Sequence, residues 1–158
     1  MGKKTSQDYR QSQEVKGYTF GITAAALLYR DSVLLAQLYL EHRDWNLVKD
    51  AVFKDNLLQI RTLAAQKRIY SEACTRVKLL SLEAMEILAS GTRDEQCQII
   101  WYAISMKYDF VREFALEVLA EKVKRHEFEI TIADFNLYYN TKAELHEKLA
   151  GIAEGSRK

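Results

Sequence analysis

Between Arg61 and Leu80 the chain carries Arg61, Lys67, Arg68, Arg76 and Lys78 against one carboxylate, Glu72. Lysines and arginines placed along one helix neutralise a run of phosphates. The gain comes from counterion release and needs no particular base sequence. Ser71 and Thr75 add hydroxyls that can meet phosphate oxygens. A second basic set, Lys3, Lys4, Arg10 and Lys16, lies in the polar first 17 residues. The bland description of the helical set is a solvated surface. On it Arg68, Glu72 and Arg76, spaced by four, form a surface ion-pair ladder. Charge alone leaves both descriptions open.

Other chemistry finds little footing. His42, His126 and His146 pair with no His or Cys at metal-ligand spacing, so no metal site is expected. Neither a GxxxxGK[ST] loop nor a GxGxxG loop is present to cradle phosphates. A GxSxG elbow is missing too, and neither Cys74 nor Cys97 carries a local nucleophile signature. The two cysteines sit in apolar helical stretches and read as buried free thiols of a reducing compartment. Glu113, Glu117 and Glu121 are spaced as a solvated acidic row. The expectation is a protein without catalytic residues, cofactor or metal.

The elements that must position the basic residues follow from composition and periodicity. Proline is absent from the 158 residues and glycine numbers only six, which disfavours turn-rich β architectures and predicts an all-α chain. Net charge is +1, but residues 1–80 balance to +5 and residues 81–158 to −4. A basic half suits a polyanion and an acidic half suits a protein partner. Residues 1–16 lack a secretory apolar stretch, and the longest apolar runs are six residues, too short to span a bilayer. The expected place is the cytoplasm, with no membrane partner.

The division is a basic arm over residues 1–17, one helical domain over 18–150 and a frayed tail over 151–158. The domain is predicted as a single compact bundle of six to seven helices. The first spans about Asp31 to His42. Asp44 caps a second to about Lys54, which buries Trp45, Val48, Val52 and Leu47. Thr62 caps a third to about Leu80, with Ala65, Ile69, Ala73, Val77 and Leu80 on the inner face and Lys67, Ser71, Thr75 and Lys78 opposite. Ser81 caps a short fourth helix that Gly91 ends. The apolar run Ile99–Ile104 predicts a helix crossing the core with Trp101 buried, and a break near Tyr108–Asp109. Thr131 and Asp134 open the last helix as a capping box.

Several stretches resemble the BrxA family, the small helical component of bacteriophage-exclusion (BREX) defence systems of bacteria. They are Gly21-Ile22-Thr23, Leu38-Tyr39-Leu40-Glu41 with Asp44-Trp45, and Asn56-Leu57-Leu58-Gln59 with Arg61-Thr62 and Lys67-Arg68-Ile69. Further on come Trp101-Tyr102-Ala103-Ile104 with Lys107-Tyr108, Glu113-Phe114-Ala115 through Glu121-Lys122, and Thr131, Asp134-Phe135 and Lys142-Ala143-Glu144. The resemblance covers about residues 18–148. It implies a helical fold similar to the antitermination factor NusB, binding of double-stranded DNA, and work alongside other BREX proteins, a methyltransferase and a large ATPase among them. It implies no catalytic residues. Two surfaces then compete for DNA: Arg61, Lys67, Arg68 and Lys78 around the third helix, and Lys3, Lys4, Arg10 and Lys16 in the arm. An adaptor that docks a larger protein through the acidic half, and an RNA-binding module, are the alternatives. Oligomeric state is left open.

Overall fold

The computed structural model describes residues 18–20, 27–146 and 149. The arm and the tail expected from the sequence lie outside the described residues, as does the Gly21-Ile22-Thr23 stretch.

The described chain is all helical. Helix α1 spans Tyr29–His42, α2 Trp45–Lys54, α3 Leu63–Val77, α4 Leu82–Ser90 and α5 Arg93–Lys107. Three consecutive stretches, Asp109–Phe114, Ala115–Leu119 and Ala120–Lys124, run on as one helix, α6. Helix α7 spans Ile132–Leu145. The start signals act where the side chains predict them. Asp44, Thr62 and Ser81 accept hydrogen bonds from the backbone N–H of Asn46, Ala65 and Ala84. Each satisfies a donor that a helix start leaves without an intrahelical acceptor. Thr92 and Thr131 close reciprocal boxes with Glu95 and Asp134.

Helix α1 is the axis of the fold, because α2, α3, α4 and α5 all pack on it. Two apolar clusters flank it. Leu35, Val48, Val52, Tyr70, Ala73 and Cys74 fill the side towards α2 and α3. Ala36, Val77, Leu80, Met85, Leu88, Ile100 and Ala103 fill the side towards α4 and α5. Val48 and Val52 are fully buried, and truncating such a side chain in a packed core costs about 1 kcal/mol or more. Leu47 points away from this core and is half exposed, against expectation, because it lies beyond the Val48–Val52 stripe.

The apolar run in α5 does not cross the core. Ile100 and Ala103 are buried, whereas Trp101 is 41% and Tyr102 53% exposed. The neighbours of α5 press on one face only, so a run that is apolar all round leaves its outer residues in water. The break predicted near Tyr108–Asp109 occurs at Tyr108, whose backbone is extended between α5 and α6. No side chain of Tyr108 caps α6. Thr19 does so from the start of the chain. Its hydroxyl accepts from the Asp109 N–H at 3.0 Å, and its carbonyl accepts from the Phe110 N–H at 3.1 Å. Within α6, the Ala120 N–H bonds the Ala115 carbonyl, a one-residue-wide bulge in the ladder. A third cluster, Phe110, Tyr138 and Leu149 with Tyr18, Phe20, Phe114, Val118 and Tyr139, joins α6 to α7.

Candidate nucleic-acid interface

The turn Asn56–Gln59 sets the start of α3, and with it the basic residues. Asn56 and Gln59 adopt left-handed backbone, with φ of 46° and 55°. Asparagine tolerates this conformation better than most residues. The Asn56 side-chain carbonyl accepts from the Ile60 N–H and from the Gln66 amide, each at 3.1 Å. Leu58 packs on the α2–α3 cluster. The Asn56-Leu57-Leu58-Gln59 block is therefore a hinge that aims α3. Arg61 follows it, exposed, before the Thr62 cap.

On α3 the helical period carries Lys67, Ser71, Thr75 and Lys78 to one exposed side. That side faces α2, where Asn46, Lys49 and Phe53 are spaced by three and four. Between the two helices lies an open cleft of about 540 Å³. Its floor is Trp45, Phe53, Tyr70 and Cys74, and its rim is Asn46, Lys49, Lys67, Ser71, Thr75 and Lys78. No carboxylate lines it. Trp45 is half buried and stacks on Tyr39 with centroids 4.4 Å apart and planes at 18°. The Lys78 Nζ stands over the Trp45 ring, 5.1 Å from its centroid. Phe53 and Tyr70 meet edge to face at 5.2 Å. Burial, followed by the neighbouring Cys74 thiol and Asp50 carboxylate, pushes the Tyr70 hydroxyl far above its ordinary range, so it stays a neutral phenol.

The cations of the described residues differ in pairing. Arg76, Lys107, Arg112, Lys122, Lys124 and Lys142 are held by carboxylates. All six lie from position 76 onwards. Among the described residues, Lys49, Arg61, Lys67, Arg68 and Lys78 have no carboxylate within 4.0 Å. The charge difference between the halves of the sequence is thus also a difference in pairing. It leaves the α2–α3 side with cations free to meet an outside anion.

The sequence-predicted residues separate in space. Lys67 and Lys78 line the cleft, and Arg68 is exposed on α3 but outside its lining. Lys3, Lys4, Arg10 and Lys16 lie outside the described residues. The expected surface ladder is corrected. Arg76 is only 1% exposed, and its Nε bonds Glu72 at 2.8 Å. The Glu72 carboxylate also takes the Lys107 Nζ at 2.7 Å and the Tyr108 hydroxyl. Arg76 falls on the arc of Ala73 and Val77, so the pair points inward, and Arg68 takes no part in it. Lys49 and Asn46 are additions that sequence reasoning missed. Their spacing along α2 from Trp45 to Phe53, beside the buried Val48 and Val52, was the available signal.

A larger cleft of about 630 Å³ lies between α1, the Asn56–Gln59 turn and α3. Its lining is Val33, Leu34, Leu57, Leu58, Ile60 and Ile69 with Tyr29, Arg30, Asp31 and Gln37, and it carries one cation and one carboxylate. No group of three or more His, Cys, Asp or Glu among the described residues is placed to hold a metal ion. No described helix is long and apolar enough to cross a membrane.

Comparison with known proteins matches this chain to one family. The BrxA family profile covers residues 16–158. A protein of Escherichia coli O9:H4 (strain HS) named BREX protein BrxA is 22% identical over 153 residues, covering 97% of this chain and 72% of the relative. A Bacillus cereus (strain H3081.97) protein of the same name is 30% identical over 103 residues, 65% of this chain and 52% of the relative. No solved structure matches, so the expected likeness to NusB gains no support from that side. With the profile spanning all but the first 15 residues, the chain belongs to the BrxA family.

Proposed function

We propose that this protein is a non-enzymatic component of a bacterial BREX phage-defence system that binds double-stranded DNA through the α2–α3 face. Membership of the defence system is supported by the two relatives, both named BREX protein BrxA. The observation that carries the DNA reading is the cleft rim. Lys49, Lys67 and Lys78 converge there with Ser71, Thr75 and Asn46, and no carboxylate intervenes. Arg61 and Arg68, both exposed, extend the positive surface along and before α3. Such a surface binds phosphate oxygens and carries no base reading. Other BREX proteins are the proposed protein partners, in the cytoplasm where the phage DNA is met.

The test is a competition between labelled duplex DNA and unlabelled duplex DNA or duplex RNA of the same sequence, repeated as salt is raised. Duplex DNA should displace the label best, and affinity should fall steeply with salt. Preference for RNA would replace this reading with an RNA-binding one. A second reading, an adaptor for a larger protein, draws on the acidic C-terminal half of the chain. There Phe128, Ile132 and Leu137 are 81%, 80% and 72% exposed. Absence of nucleic-acid binding at low salt would put that reading first.

A further inference from the structure

Resting on the DNA reading, we infer that the α2–α3 cleft takes an unpaired nucleotide, its base on Trp45 and its phosphates on Lys49 and Lys67. The cleft is the size of a small-molecule site, and a duplex is too wide to enter it. A duplex backbone lying across α2 and α3 reaches the rim lysines and hydroxyls. It leaves the aromatic floor of Trp45, Phe53 and Tyr70 unfilled. A group that fills the floor while satisfying the rim must be flat, with a π-face that stacks on an aromatic ring, and joined to an anion. A nucleotide that has left the base stack has that form.

Trp45 is prepared for the role. Tyr39 stacks in parallel on one face at 4.4 Å and holds the indole plane. An aromatic ring that close leaves no room on its side, so the Lys78 Nζ, 5.1 Å from the centroid, covers the opposite face. Lys78 is exposed and bound to no carboxylate among the described residues. Its long stem lets the ammonium swing from the ring to a phosphate, so a base can replace one cation–π contact with stacking while the charge is kept. Stacking on an aromatic side chain is tolerant of base identity.

The experiment uses a short blunt-ended duplex, the same duplex with a single-stranded overhang of a few nucleotides, and free deoxyadenosine monophosphate. Stacking of one base predicts that the overhang duplex binds about tenfold tighter than the blunt one. The free nucleotide should compete only weakly, since it lacks the rest of the backbone; tight binding of it with no overhang preference would overturn the assignment to an unpaired nucleotide of DNA. Trp45→Leu should bring the ratio of overhang to blunt affinity to about one, and Trp45→Phe should keep most of it. The chain has two tryptophans, so Trp101→Phe leaves Trp45 as the only one. In that background the overhang duplex should quench the fluorescence and the blunt duplex should not, a readout that requires no change at Trp45. Equal affinity for blunt and overhang duplexes with equal quenching overturns this inference and leaves the duplex reading standing. Failure to bind either overturns both.

Discussion

At the scale of single residues, Glu72 is a hub. It joins α3 to the end of α5 by holding Arg76, Lys107 and Tyr108 at once. Lys107 also donates to the Thr75 hydroxyl at 2.7 Å, so the hub reaches the cleft rim. Burial pushes the Glu72 carboxyl up, but the hydrogen bonds from Lys107 and Tyr108 and the charges of Lys107 and Arg76 together outweigh it. The group therefore titrates below its ordinary value of 4.5. Glu72→Ala leaves the buried Arg76 guanidinium without this carboxylate, and should cost roughly 3 kcal/mol. In a chain this size that lowers the melting temperature by about 6–12 °C. A depressed carboxyl stabilises the fold above its unfolded pKa, and the gain is lost as pH falls through the folded value. Denaturant midpoints of wild type and Glu72→Gln should therefore differ most at neutral pH and converge in acid. A difference that grows as pH falls would contradict the assignment. The sequence carried the i, i+4 spacing of Glu72 and Arg76 but not its direction. Lys107 and Tyr108 lie 35 and 36 positions away, and no local pattern announces them.

At the scale of elements, the last helix is fastened by charge as much as by apolar burial. The Lys142 Nζ, on a side chain 9% exposed, reaches Glu113 at 2.8 Å and Glu117 at 2.7 Å on α6. Tyr18 donates to the same Glu113 carboxylate at 2.6 Å. Lys142→Ala leaves Glu113 and Glu117 without their common cation and should cost about 2 kcal/mol. The loss should be local: hydrogen exchange should quicken in α7 and the facing part of α6, and α1–α5 should keep their protection. Uniform loss across all helices would show that α7 is not a separable unit. Thr131→Ala removes the cap of the same helix and should cost about 1 kcal/mol by thermal melting. Caps were the most legible features of the sequence. Asp44, Thr62, Ser81 and Thr131 act through backbone groups two or three residues away. The Thr92–Glu95 box has the same local form. The capping of α6 by Thr19 was not, because 90 positions separate Thr19 from Asp109.

At the scale of the whole molecule, a net charge of +1 hides a divided surface. Paired cations lie from position 76 onwards, and the α2–α3 side keeps Lys49, Arg61, Lys67, Arg68 and Lys78 without carboxylate partners among the described residues. Half of this surface was legible, since the period of α3 fixes Lys67 and Lys78 on its outer side. The other half needed the packing of α2 beside α3, which brings Lys49 to the same cleft. The burial of Trp101 was misjudged for a related reason. Hydrophobic periodicity tells which residues can be buried, while the face on which the neighbouring helices pack decides which are.

The salt dependence of duplex DNA binding tests this surface most directly. If Lys49, Arg61, Lys67, Arg68 and Lys78 each meet a phosphate, the logarithm of the association constant should fall with the logarithm of salt concentration at a slope of roughly −4 to −5. Replacing Lys49, Lys67 and Lys78 together by Ala should flatten that slope by up to about three units. These exposed side chains contribute little to folding, so the melting temperature should hold. A folded triple variant that binds duplex DNA with the wild-type slope would contradict the α2–α3 interface.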